Sequence, residues 1–144
     1  MVPPYILFRR MPDIADNVRA FLEETRFAVI GSTNRDGSPH LTALWYALRG
    51  DTIMMNTRSD SKKVRNLKRD ARASVCVVDI GQARHVTLEG AVTFDDAHVT
   101  EDLTTLASRY AGAEAGPGIA ANIAKTPHVS VILHIERVKT FGKV

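Results

Sequence analysis

Apolar positions along this chain change period several times, and each change marks an element. In "MPDIADNVRAFLEET" the residues Ile14, Val18, Phe21, Leu22 and Thr25 fall on one stripe, spaced by threes and fours as on one side of a helix. A helix is predicted over about 13–25, with Asp13 as its N-cap. "RFAVIGST" then reads as a strand, and "NRDGSPH" supplies a hairpin turn through Asp36-Gly37. "HLTALWYAL" follows as one strand that is apolar on both faces: Leu41, Ala43, Trp45 and Ala47 on one, Leu44, Tyr46 and Leu48 on the other. Such a strand needs cover twice, as when a barrel wall also meets a partner or a ligand. "RGD" turns the chain into a further strand, "TIMMNT".

Beyond a basic helix come the strands "ASVCVVD" and "ARHVTLEGAVTF". The second alternates, with Val86, Leu88, Val92 and Phe94 inward and His85, Thr87, Glu89 and Thr93 outward. "DDAHVTEDLTTLASRYA" predicts a helix with Val99, Leu103 and Leu106 on one face; "GAEAGPG" breaks it, and a short helix through "IAANIAK" follows. "HVSVILHIERVKTF" closes the pattern as a long strand with Val129, Val131, Leu133 and Ile135 on the core side. Six strands joined mainly by tight turns, with inserted helices, predict a mainly β chain folded as a small antiparallel barrel. No repeat or linker divides it, so one domain is expected over 1–144, with the barrel over about 26–142.

Charge sharpens the picture. The chain carries a formal net charge of +3. Between Asn56 and Arg72 lie Arg58, Lys62, Lys63, Arg65, Lys68, Arg69 and Arg72 against Asp60 and Asp70, a local balance of +5 that leaves −2 for the remainder. A localised anionic partner is therefore expected. The cations follow a strand end and open a helix that Ser59, Asp60 or Ser61 can cap, and a helix N-terminus attracts anions. On a helical wheel Val64 and Leu67 define the buried side, whereas Lys62, Arg65 and Arg69 lie outward as on any solvated helix face. Lys63 borders the apolar side in the first turn, where its ammonium reaches a phosphate held near Arg58 and Ser61. A nucleic-acid surface is the competing reading, but no aromatic residue is interleaved with the charges. Nucleic acid is not expected as a partner.

Other chemistry is sparse. His40, His85, His98, His128 and His134 lack close ligand spacing, so no metal site is expected. Glu23-Glu24 and Asp95-Asp96 stand at helix ends, where they suit capping. Cys76 is the single cysteine and reads as a small buried hydrophobe of a protein from the reducing cytoplasm. No apolar run reaches the roughly 18 residues of a membrane span, and "MVPPYILFRRMP" has the wrong order of charge for a secretory signal. No nucleophile is nominated. A flat ring lying over Trp45-Tyr46 and the "TIMMNT" strand would point a phosphate at the basic junction, as a flavin-like cofactor would.

Taken together, "DGSPHLTALWY", "NTRSDSKK", "VRNLKRDARAS", "VTLEGAVTF" and "IERVKTFG" resemble the pyridoxamine 5′-phosphate oxidase-like FMN-binding split β-barrel family, and within it the branch of deazaflavin (coenzyme F420)-dependent reductases. The resemblance implies a six-stranded split barrel that forms a homodimer with cofactor sites at the subunit interface. It also implies phosphate contacts from Lys63 with Ser61 and Arg58, and a ring along Ala43, Leu44 and Trp45 and along Met54, Met55, Asn56 and Thr57. Where the family often carries arginine two positions before the lysine, this chain has Ser61, so Arg58 or Lys62 is expected to compensate. The oxidase members carry further phosphate-binding residues near the C-terminus, whereas this chain ends at "FGKV", which argues against pyridoxamine phosphate oxidation. The activity implied is hydride transfer from reduced F420 to a small unsaturated or conjugated organic substrate, with Tyr46, a histidine or solvent as optional proton donor. FMN in place of F420, or non-catalytic binding of flavin, F420, haem or a tetrapyrrole, are the alternatives.

Overall fold

The computed structural model describes residues 13–144; the charge order of "MVPPYILFRRMP" lies outside them. The strands are β1 (Ala28–Thr33), β2 (Pro39–Leu44), β3 (Tyr46–Arg49), β4 (Thr52–Arg58), β5 (Arg72–Asp79), β6 (Arg84–Asp95) and β7 (His128–Phe141). They form one antiparallel sheet in the order β2-β1-β5-β6-β7-β4-β3. The helices are α1 (Asp16–Glu23), α2 (Lys62–Arg69), α3 (Val99–Ala111) and α4 (Gly116–Ile123).

The described residues hold seven strands, where six were expected, because "HLTALWYAL" is two. β2 pairs with β1 and β3 pairs with β4, at opposite edges of the sheet. Trp45 is the residue between them, and α3 causes the break. The Tyr46 backbone N–H donates to the Tyr110 hydroxyl at 3.1 Å, and the Trp45 ring stacks on the Tyr110 ring with centroids 5.0 Å apart and planes 9° apart. The sheet therefore curls into a split barrel whose two edges are consecutive in sequence. The inner face of this stretch is the expected one: Leu44 and Leu48 pack against the core and Tyr46 is fully buried within it. On the other face Trp45 is covered by α3 and α4, whereas Leu41 is 66% exposed among the described residues.

Tight turns follow from local chemistry. Gly37 takes φ +88° in the β1–β2 turn, open to glycine at no steric cost, and the Asp36 carboxylate accepts the Ser38 N–H at 3.0 Å. Gly90 is required by a close approach. Glu89 pairs with Arg137 but Gly90 with Ile135, so Glu136 is the extra residue of a bulge in β7. A Cβ on Gly90 would collide with the His134 carbonyl. The bulge shifts the inward phase of β7 from Val129, Val131, Leu133 and Ile135 to Val138.

Helix α1 is shorter than predicted at both ends. Ala15 is its N-cap in an extended conformation without a side-chain bond, so Asp13 does not cap it, and Thr25 lies beyond it. Its last carbonyls are taken by a side chain from α3: Arg109 donates to Leu22 O at 2.9 Å, Glu23 O at 2.8 Å and Glu24 O at 3.0 Å. Those bonds replace the next helical turn and end the helix. Helix α4 begins earlier than "IAANIAK", with Pro117 in its first turn, where a missing N–H goes unused. Among the described residues no helix is long and apolar enough to cross a membrane and no group of His, Cys, Asp and Glu is placed to hold a metal.

Candidate functional site

The basic junction is built by a cap. The Ser61 hydroxyl accepts the Val64 N–H at 3.4 Å, and the Arg65 N–H donates to Ser61 O at 3.2 Å. Val64 and Leu67 are buried, as the wheel requires. Buried Asn66 fastens the helix to β1, its amide donating to Ser32 Oγ at 3.2 Å and Asn34 Oδ1 at 3.0 Å.

Most of the positive charge is engaged at the surface. Arg58 makes a two-pronged pair with Asp60, at 3.1 and 3.0 Å, which draws the Asp60 carboxyl below its ordinary range. Arg65 donates to Asp60 O at 2.6 Å, and Arg69 donates to Asn66 Oδ1 at 3.0 Å. Lys62 is exposed. Lys63 differs: it is half-buried, donates from Nζ to Thr57 Oγ1 at 2.9 Å, and has its pKa lowered from the ordinary lysine value by burial.

Lys63 stands in the wall of a cavity of ≈ 440 Å³ between the split in the barrel and the α3–α4 pair. That volume is within the usual range for small-molecule sites. Ala43, Leu44 and Trp45 form one wall, Asn56, Thr57 and Arg58 of β4 another, and Leu103, Leu106 and Ile123 close it from the helices. Phe27 and His128 complete the rim. Asn56 donates from Nδ2 to Ser130 Oγ at 3.3 Å, while its Oδ1 is buried with no hydrogen-bond partner among the described residues. The cavity thus combines a cation, apolar walls and an unsatisfied acceptor. That donor set fits a ligand with an anionic end, a flat apolar body and a polar N–H or O–H. A second recess, of ≈ 540 Å³, lies on the outer sheet face over Gly31, Leu41 and Ser74; its Arg137 is paired with Glu89 at 3.3 Å.

The sequence profile described as pyridoxamine 5′-phosphate oxidase matches residues 14–142. The chain belongs to the pyridoxamine 5′-phosphate oxidase family. Among solved structures, it is similar to a conserved hypothetical protein of Mycobacterium tuberculosis, with 26% identity over 93% of this chain and 88% of that one, at a TM-score of 0.74. It is also similar in fold to a protein named an F420 reductase, at 20% identity over 88% of this chain and 98% of that one, with a TM-score of 0.75. A haem-binding protein of Mycobacterium smegmatis shares 21% identity over 93% of this chain and 56% of that one, at a TM-score of 0.68. No curated protein matches the sequence.

Within this pyridoxamine 5′-phosphate oxidase-family barrel, the cavity gathers Lys63, Arg58, Asn56, Thr57, Ala43, Leu44 and Trp45 from the residues singled out by sequence. It does not gather the other four. Met54 and Met55 are fully buried, Met55 in the barrel core. Ser61 is occupied as the cap, and Lys62 points outward. Tyr46 is no proton donor to this cavity: it is wholly buried, its hydroxyl donates to Leu22 O at 2.7 Å, and burial raises its pKa to about 12. Leu103, Leu106, Ile123, Phe27 and His128 were not foreseen as site residues. The apolar face of α3 was visible in the sequence, but a core face and a cavity wall share one periodicity.

Proposed function

We propose that this chain is an F420H2-dependent oxidoreductase acting on a small unsaturated or conjugated organic substrate, with the cofactor held in the cavity at the split. The observation that carries the reading is the half-buried ammonium of Lys63, bonded to Thr57, in the lining of a pocket with apolar walls. Similarity to a fold neighbour named an F420 reductase supports the choice of cofactor. Bound in its reduced form, F420 supplies a hydride.

The chain's own residues do the rest. Lys63 and Thr57 bind the cofactor phosphate, and Arg58 joins them by exchanging Asp60 for the ligand. Trp45, held by its stack on Tyr110, forms a flat wall, and Leu103, Leu106 and Ile123 keep water from the reacting face. His128 holds its Nδ1 against Thr126 O at 2.7 Å, and solvent is the proton source in this reading. A homodimer accounts for the uncovered apolar outer face, where Leu41 and Val78 are 66% and 43% exposed. A chain with one cysteine, Cys76, is compatible with the reducing cytoplasm assigned to it in this reading.

The test is a side-by-side titration of the apo protein with F420 and FMN, followed by turnover of reduced F420 with enones and quinones. Tighter binding of F420 and hydride transfer to an acceptor are expected. Tighter binding of FMN moves the assignment to a flavoprotein, binding without turnover to a carrier, and binding of neither overturns it.

A further inference from the structure

The geometry points to Asn56 as an acceptor that selects ligands offering a hydrogen-bond donor to the cavity, with Ser130 and Asp102 as the residues that aim it. The inference rests on the cavity being the cofactor site.

It begins with Asp102, in the first turn of α3 and only 2% exposed. Its Oδ1 receives the Arg49 guanidinium at 2.8 Å, and its Oδ2 receives the Ser130 hydroxyl at 2.6 Å. Both carboxylate oxygens are used as acceptors, one by the guanidinium and the other by the hydroxyl. The single hydroxyl proton of Ser130, which is fully buried, is therefore committed to Asp102. Ser130 Oγ has only lone pairs left for Asn56. Of the two ends of a carboxamide, only the NH2 end can meet a lone pair, so Nδ2 must face Ser130 at 3.3 Å. The Oδ1 end is then forced the other way. There it is buried without a partner among the described residues, on a residue that lines the cavity.

A buried carbonyl without a donor is unfavourable, and a ligand that supplies one regains that energy on binding. The chain Arg49–Asp102–Ser130–Asn56 thus converts an amide that could present either end into a fixed acceptor. An F420 or flavin ligand has two kinds of donor to offer, the imide N–H of its ring and the hydroxyls of its chain.

The test uses three flavin phosphates: FMN, its N3-methyl derivative, and an analogue whose pentyl chain lacks hydroxyls. Dissociation constants are measured for the parent, Asn56→Ala and Ser130→Ala. The parent is expected to bind one of the two analogues about 5- to 150-fold more weakly than FMN, and the analogue affected identifies the donor. That ratio is expected to fall below about twofold in Asn56→Ala, which lacks the acceptor, and in Ser130→Ala, which frees the amide to turn. A merely structural role for Ser130 would lower all three affinities together and leave the ratio unchanged. Equal binding of all three ligands by the parent, or a ratio that survives in Asn56→Ala, overturns the inference and leaves the cofactor reading standing. Failure of both FMN and F420 to bind overturns both.

Discussion

Lys63→Met separates the contribution of one charge from that of one side chain. Methionine keeps most of the aliphatic stem and removes the ammonium. The lysine is half-buried and its charge is disfavoured by that burial, so removing it relieves desolvation while losing the 2.9 Å bond to Thr57. These effects oppose each other, and stability should stay within about 1 kcal/mol of the parent. Affinity should not. A charge-assisted bond to a phosphate contributes roughly 1.5–3 kcal/mol, so F420 or FMN should bind about 10- to 150-fold more weakly, measured by fluorescence titration beside a urea melt. Arg65→Ala is the control; its guanidinium rests on Asp60 O, and affinity should change by less than about twofold. The pH dependence carries the same signature. Between the lowered pKa of folded Lys63 and the ordinary 10.5, the unfolded chain holds the proton and the folded chain does not. Stability of the apo protein therefore gains from this group as pH rises through that window, while affinity for the anion declines. Parent-like affinity in Lys63→Met would refute the phosphate seat.

Three further outcomes follow from other parts of the molecule. Gly90→Ala drives a Cβ against the backbone of His134 and Glu136 and should lower stability by about 3 kcal/mol in a denaturant melt; a loss under about 1 kcal/mol would show that the bulge yields. Tyr46→Phe should lower stability by about 0.5–1.5 kcal/mol through the bond to Leu22 O, with cofactor affinity and turnover unchanged; loss of turnover in a folded variant would restore Tyr46 as a proton donor. His134, buried beside Thr93, has its pKa lowered from 6.5, so the unfolded chain binds protons first and stability should decline as pH falls below about 6.5. His98, whose pKa is raised by Asp95, opposes this only weakly because it is exposed. Replacement by His134→Gln should flatten the decline in melts between pH 7 and 5, and an unchanged slope would count against the assignment.

The alternation of Val86, Leu88, Val92 and Phe94 and the spacing of Val64 and Leu67 located a strand and a helix, because burial of one face forces one period. Asp36-Gly37 and Gly50 marked turns, because both glycines take positive φ. Trp45 was read as mid-strand, because both segments it joins have strand periodicity and the interruption comes from Tyr110, 65 residues further along the chain. Asp13 was a sound cap by residue type, but nothing local announced that Ala15 would be extended. At the site, Lys63 stood out from its neighbours by its place on the wheel. Asp102 and Ser130 did not, since neither belongs to a sequence motif and only the packing of α3 on β7 joins them. Met55 was taken with Asn56 and Thr57 because adjacency in a strand resembles shared position, although successive residues face opposite sides and Met55 belongs to the barrel core.

Strand β7 pairs with both β4 and β6 and follows every other strand in the chain. Without it the sheet falls into two pieces, β2-β1-β5-β6 and β4-β3, connected only through the peptide at Trp45 and the chain through α2. A ribosome that has delivered residues up to about 127 therefore holds two half-sheets with four unpaired edges, and the cavity between them has no fixed width. Release of the last strand joins the halves, brings Ser130 to Asp102 and sets the spacing of the walls in a single event. The binding site is on this view the last part of the molecule to come into existence, and a chain stalled before His128 would expose β4 and β6 as strand acceptors for other chains.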